Sequence, residues 1–130
     1  MKFNSQICTS REQSERLLAL GLKKETADMG WVLLNNGEYA LGISKGAYSL
    51  DIPAWSLHRL IEMMPNNIHK YNDIADLSVS NELVQYRFYD VDYNHDVCLE
   101  HFNDGTLFDN IIDCIEWLIK ERCFPKEYLK

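Results

Sequence analysis

The sequence predicts an α+β fold: a mostly antiparallel sheet of four to five strands packed against about three helices, with a C-terminal helix over 106–122 central. Three observations carry this. The stretch TLFDNIIDCIEWLIKER at 106–122 repeats apolar residues at three- and four-residue steps. The region 83–102 mixes aromatic, apolar and polar residues as half-buried strands do. Successive strand-like stretches are joined by short turns, which pair strands antiparallel rather than through long crossovers. With 130 residues, 46% of them hydrophobic, the chain is long enough for one real core and is read as one domain, 1–130.

Residues 1–8, with Phe3 and Ile7, read as a short strand or an arm on the core. Thr9 and Glu12 have the spacing of a capping box and open a helix over 10–20, which Gly21 stops with Leu22 folding back. Residues 23–30 form a polar connector or one loose helical turn. An apolar run at 31–34, the turn Asn35-Asn36-Gly37 and the stretch 38–43 predict a β-hairpin, because Asn and Gly accept positive φ. Residues 44–46 break it, and 47–50 lead into a middle helix over 53–64. Pro53 suits the first helical position, Trp55, Leu57, Leu60, Ile61 and Met64 make the apolar face, and Pro65 ends it. Residues 66–73 are rich in turn formers.

Strands follow at 74–80, 83–91 and 97–102, with a turn at 92–96 between the last two. Strict alternation places Val97, Leu99 and His101 on one face and Cys98, Glu100 and Phe102 on the other. In the last helix Leu107, Phe108, Ile111, Ile112, Cys114, Ile115, Leu118 and Ile119 form one face, and Asp109, Asn110, Asp113, Glu116, Lys120 and Glu121 the complementary arc. Thr106 suits the N-cap, and the acids near the start and bases near the end suit the macrodipole. Burying eight such side chains is worth of order 10 to 20 kcal/mol before conformational entropy is subtracted.

The formal charge of −7 argues against phosphate-backbone binding. Between residues 90 and 121, nine acids face the single base Lys120, so this region is strongly acidic and the remainder nearly neutral. No run is long and apolar enough to span a bilayer, and no secretory leader is read at the N-terminus, so the expectation is a cytoplasmic protein without membrane or nucleic-acid partners. The four cysteines contain no C-x-x-C pair and read as reduced thiols.

Asp90, Asp92, Asn94 and Asp96 resemble alternating calcium ligands, but His95 and His101 occupy the positions where the sharp-turning Gly and the bidentate Glu belong. His95, Cys98 and His101 are zinc-type ligands that alternation separates unless a bulge intervenes. Glu100 and His101 face opposite sides as strand neighbours, and His58 reads as a surface residue of the middle helix. Glycine-rich nucleotide motifs are absent, and GISKG at 42–46 is read as lacking the glycine spacing of a G-x-S-x-G nucleophile turn. No catalytic, cofactor or metal residues are assigned.

Aromatic residues remain as the lead. Ten Trp and Tyr side chains, among them Tyr86, Tyr89 and Trp117, are many for a small core, and such residues favour contact surfaces. Trp117, Asp109, Asp113 and Glu116 on the last helix, with Tyr86, Phe88 and Tyr89 on the central strand, are the candidate partner-binding residues.

Three phrases, LLALGLKKETADM at 17–29, IPAWSLHRLIEMMP at 52–65 and DNIIDCIEWLIKE at 109–121, resemble a group of small uncharacterised proteins of gut Bacteroides-type genomes, often found in phage-like or conjugative regions. The resemblance implies an intracellular accessory protein of a mobile element and carries no catalytic residues. The leading expectation is therefore a non-enzymatic interaction domain that binds another protein or itself as a homodimer. The alternatives are a small-ligand-binding protein or enzyme, whose pocket would gather residues such as His58, Asp92, His95 or His101, and an acidic mimic that binds a basic protein.

Overall fold

A computed structural model describes residues 6–42 and 52–130. The chain forms two compact units, 1–63 with 126–130, and 64–125. Phe3, Ile43, the break at 44–46 and the lead-in at 47–50 lie outside the described residues.

In the first unit, helix α1 (Arg11–Ala19) is capped by Ser10, not Thr9. The Ser10 hydroxyl accepts from the Gln13 N–H at 3.1 Å, and the Gln13 side chain accepts from the Ser10 N–H at 2.9 Å. The capping box is thus one residue later than the spacing of Thr9 and Glu12 suggests. Thr9 is instead buried. Its hydroxyl accepts from the Trp55 N–H at 3.0 Å and shares a 2.8 Å bond with Ser14. A tertiary partner therefore outcompeted the local one. Gly21, at φ +104°, ends α1 with its N–H on the Leu18 carbonyl and that of Leu22 on Leu17, the paired bonds of a Schellman stop.

A 3-10 turn (Lys24–Thr26) leads into β1 (Met29–Leu33), which pairs antiparallel with β2 (Tyr39–Gly42) through the expected Asn-Asn-Gly turn, Gly37 taking φ +85°. On its other side β1 pairs with β3 (Ile52–Ala54), giving the order β2-β1-β3. Pro53 therefore lies in an edge strand and does not open a helix. A proline is tolerated there because it removes only a donor that an edge can spare. Helix α2 (Leu57–Met63) begins later, after Ser56, whose hydroxyl accepts from the Arg59 N–H at 3.1 Å. Asp28 holds this start, its carboxylate accepting from the Ser56 N–H at 2.8 Å and from the Ser56 hydroxyl.

Trp55, fully buried, donates its indole N–H to the Thr26 hydroxyl at 3.0 Å. The last residues return to this unit. A 3-10 turn (Lys126–Tyr128) precedes a short bridge between Leu22 and Leu129, and the Lys130 N–H reaches the Gly21 carbonyl at 2.8 Å.

The second unit is a four-stranded antiparallel meander in the order β4-β5-β6-β7, formed by β4 (Asn67–Lys70), β5 (Asp73–Val79), β6 (Val84–Asp90) and β7 (His95–Phe102). The first of these replaces part of the turn-rich stretch expected at 66–73. Helix α3 (Leu107–Lys120) packs on β6 and β7. The C-terminal helix thus covers the sheet as its periodicity predicts, while the strands of the whole chain divide between two sheets.

Along β6, Val84 and Tyr86 are buried and Phe88 half-buried, whereas Arg87 and Tyr89 are exposed, so one face meets α3 and the other faces solvent. Thr106 caps α3, its hydroxyl accepting from the Asp109 N–H at 3.2 Å. The helix ends in a second Schellman pair at Arg122, which takes φ +59°. Asn110, expected on the polar arc, is fully buried. Its Oδ1 accepts from the Gly105 N–H at 3.0 Å, and its Nδ2 donates to the Gly105 carbonyl at 3.1 Å. An amide can enter a core when its own donors and acceptor are satisfied.

Candidate protein-contact surface

Two turns at one end of the four-stranded sheet present the candidate surface. Lys70 pairs with Asp73, leaving a two-residue loop in which Tyr71 and Asn72 both take positive φ, 53° and 67°. Two consecutive positive values identify a type I′ turn, whose twist matches that of the strands it joins. Asn accepts this conformation readily. A bulky ring at the first position does not, and Tyr71 is 76% exposed, so core burial does not offset the strain.

The loop between β6 and β7 lies at the same end. Asp90 pairs with His95, and its Oδ1 accepts from the N–H groups of Asp92 at 3.0 Å and Tyr93 at 3.4 Å, which folds the turn on itself. The Tyr89 hydroxyl donates to Asn94 Oδ1 across the same loop. Val91 is 80% exposed, Tyr93 76%, Ile74 54% and Tyr89 53%. Extending the β5–β6 register by two residues from the Asp76 and Arg87 pair sets Ile74 beside Tyr89 on the solvent face. Five large exposed apolar or aromatic side chains thus lie at one end of one sheet, Ile74 and Tyr89 side by side.

The other sequence candidates fall elsewhere. Tyr86 is fully buried, its hydroxyl donating to the Pro65 carbonyl at 2.7 Å, and burial raises its pKa well above the ordinary phenol range. It is a core residue. Phe88 is half-buried on the inner face. Trp117 is half-buried, with its ring 6.1 Å from that of Tyr86 and 6.2 Å from that of Phe102. The Lys70 ammonium lies 5.9 Å from the same ring and pairs with Glu121, a bond that raises the lysine pKa. Asp109 accepts from the Thr106 hydroxyl at 3.0 Å, and Asp113 and Glu116 are half-buried along α3. The structure therefore brings only Tyr89 of these residues into the exposed aromatic end. It adds Tyr71, Ile74, Val91 and Tyr93. The signal for Val91 and Tyr93 was their place in a polar turn, where an apolar side chain has no core to enter.

A β-bulge at Leu99 alters the metal-ligand geometry read from β7. Cys98 pairs with Arg87 and His101 with Gln85, so these two share the solvent face, while His95 pairs with Asp90 on the other. Strict alternation had placed the two histidines together. Asp96 of the calcium-like series lies 3.5 Å from Arg87, and Asp90 is engaged by its own turn. Among the described residues no group of three or more His, Cys, Asp or Glu side chains is arranged to hold a metal ion.

Three thiols are shifted away from the thiolate. Burial pushes Cys114 up to about 12, with Glu100 and Asp113 adding to it; burial and then Glu100 raise Cys98, and burial and then Asp28 raise Cys8. A nucleophilic cysteine needs the opposite shift. GISKG at 42–46 does carry the G-x-S-x-G spacing of a nucleophile turn, which corrects the reading that it lacks it. Its Ser44 lies outside the described residues.

In the first unit an open groove of about 630 Å³ is lined by Ser10, Arg11, Trp31, Gly37, Glu38 and Tyr39. The Arg11 guanidinium lies 4.3 Å from the Tyr39 ring centre, and the Trp31 indole N–H donates to the Thr9 carbonyl at 3.0 Å. None of His58, Asp92, His95 and His101 lines it. His58 is exposed on α2, 3.6 Å from Glu62. No helix among the described residues is long and apolar enough to cross a membrane. No family model matches the chain, and no curated protein or solved structure matches it significantly.

Proposed function

We propose that this protein is a non-enzymatic interaction domain whose contact surface is the aromatic end of the four-stranded sheet. The observation that carries the reading is the concentration there of Tyr71, Ile74, Tyr89, Val91 and Tyr93, each more than half exposed. Scattered exposed hydrophobes are ordinary on a protein surface, but several large ones gathered at one end of one sheet favour an interaction site. Tyrosine suits such a surface because its ring contributes apolar contact while its hydroxyl stays solvated. The resemblance to small Bacteroides-type proteins supports an accessory role inside the cell in a mobile-element region.

The test compares the wild-type chain with a Tyr71→Ser/Tyr89→Ser/Tyr93→Ser variant. Sedimentation equilibrium measures self-association, and affinity purification from the native cell measures hetero-association. A dimer or a defined partner that the variant loses, with an unchanged circular dichroism spectrum, supports the proposal. Identical sedimentation and identical partners for both proteins refute it.

The groove beside Arg11 and Tyr39 favours a second reading, a small planar or anionic ligand held between a guanidinium and aromatic rings. Shifts of the Trp31 indole resonance in a fragment screen would support it, and an unperturbed spectrum would remove it.

A further inference from the structure

We infer that the partner segment taken by the aromatic end of the sheet is basic, a lysine- or arginine-bearing stretch of another protein. This rests on the reading of that end as a contact surface and specifies what it recognises. Asp73, Asp90, Asp92 and Asp96 lie in the turns and strand ends around Tyr71, Tyr89 and Tyr93, and Lys70 is the base among them. Lys70 is already engaged with Glu121, and the nearby Arg87 with Asp96. Among the described residues Asp73 and Asp92 have no cationic partner, and both are exposed.

Tyrosine faces attract cations through the ring quadrupole, and a carboxylate beside the ring gives the same cation a second contact. The pattern already occurs within the chain, where the Lys70 ammonium lies 5.5 Å from the Tyr71 ring. The same carboxylates decide against other occupants. Bases would stack on the tyrosines, but the phosphates between them would meet like charge, and an anionic lipid surface would be repelled for the same reason. A neutral apolar segment would leave the carboxylates at the rim without a gain. A basic segment uses both features.

The experiment is fluorescence anisotropy with four labelled probes: a twelve-residue peptide of Lys, Arg, Leu and Ser, its Gln-for-Lys/Arg and Glu-for-Lys/Arg versions, and a single-stranded oligonucleotide. Each is titrated with wild-type protein, Asp73→Asn/Asp92→Asn, Tyr71→Ser/Tyr89→Ser/Tyr93→Ser, and Glu82→Gln/Asp104→Asn. The last removes the same charge at the opposite end of the sheet. The basic peptide is expected to bind the wild type, to weaken about fivefold with Asp73→Asn/Asp92→Asn, and to stay within about twofold with the opposite-end pair. Added salt should weaken it further. Loss by the same factor in the opposite-end pair, no binding of the basic peptide, or preference for the oligonucleotide overturns the inference. Binding of the Gln or Glu peptide that the tyrosine variant abolishes also overturns the basic partner, yet leaves the contact surface standing. The two readings therefore fail separately.

Discussion

Asn110 is the residue where a small change should have the clearest consequence. Its side chain is fully buried and holds Gly105 by two good hydrogen bonds, at 3.0 and 3.1 Å, with a longer one of 3.5 Å to the Glu82 carbonyl. Asn110→Leu keeps the branched outline, with somewhat bulkier ends, and removes the bonds. At about 0.5–1.5 kcal/mol net for each of the two good ones, the expected loss is about 1–3 kcal/mol. Gly105 is exposed, so its freed groups recover water and the loss should fall in the lower half of that range.

Asn110→Asp keeps the shape but sets a carboxylate against two carbonyls it can no longer serve as donor. Burial and those carbonyl dipoles should raise its folded pKa above the unfolded value of about 3.9. Below about pH 4 both states are protonated and the variant should approach the wild type. As the pH rises the unfolded chain ionises first, so the variant loses stability relative to wild type, by about 1.4 kcal/mol for each tenfold difference in proton affinity. Urea melts followed by circular dichroism at several pH values, with amide exchange of Gly105, measure both effects. A Leu variant as stable as wild type, or an Asp variant whose relative stability ignores pH, would refute the role assigned to this bond.

Tyr86→Phe should cost about 0.5–1.5 kcal/mol by removing the Pro65 bond, read from urea melts. Because burial raises the Tyr86 pKa, absorbance titration of the native protein should find Tyr86 un-ionised above about pH 10, and stability should fall as pH rises through that value, where the unfolded phenol ionises and the folded one does not. Arg122→Gly should stabilise the protein by about 0.5–1 kcal/mol, since glycine adopts the left-handed position after α3 without a Cβ penalty. In thiol labelling of the native protein, exposed Cys98 should react well before buried Cys114 and Cys8, and equal rates for the three would contradict their placement. Tyr71→Asn should raise stability by about 0.5–1 kcal/mol in thermal melts through a better type I′ turn. If it also weakens partner binding, the strained tyrosine is kept for contact rather than for folding.

How legible each feature was depends on where its cause lies in the chain. The stop at Gly21, the Asn-Asn-Gly hairpin and the cap at Thr106 were readable because the deciding groups are within a few residues of one another. Pro53 was misread since its local fit to a helix start could not show that β1 would claim Ile52, Pro53 and Ala54. Thr9 was misread as a cap for a similar reason, its hydroxyl being taken by Trp55, far away in sequence. The bulge at Leu99 could not be read either, because it arises from how β7 meets β6 and leaves the composition of β7 unmarked.

By itself the sequence determined the fold class, the length and ends of α3, and the acidity of the region 90–121, all of which follow from periodicity, caps and charge. Tertiary structure alone decided which aromatic residues are available. Tyr86 and Tyr89 lie three positions apart in one strand, yet register and the cover of α3 bury the first and leave the second in solvent. The gathering of Tyr71 with Tyr93 likewise depends on two turns, more than twenty residues apart in the chain, meeting at one end of an antiparallel meander. Local propensity carries no information about which strand ends become neighbours, and it is that neighbourhood which makes a surface.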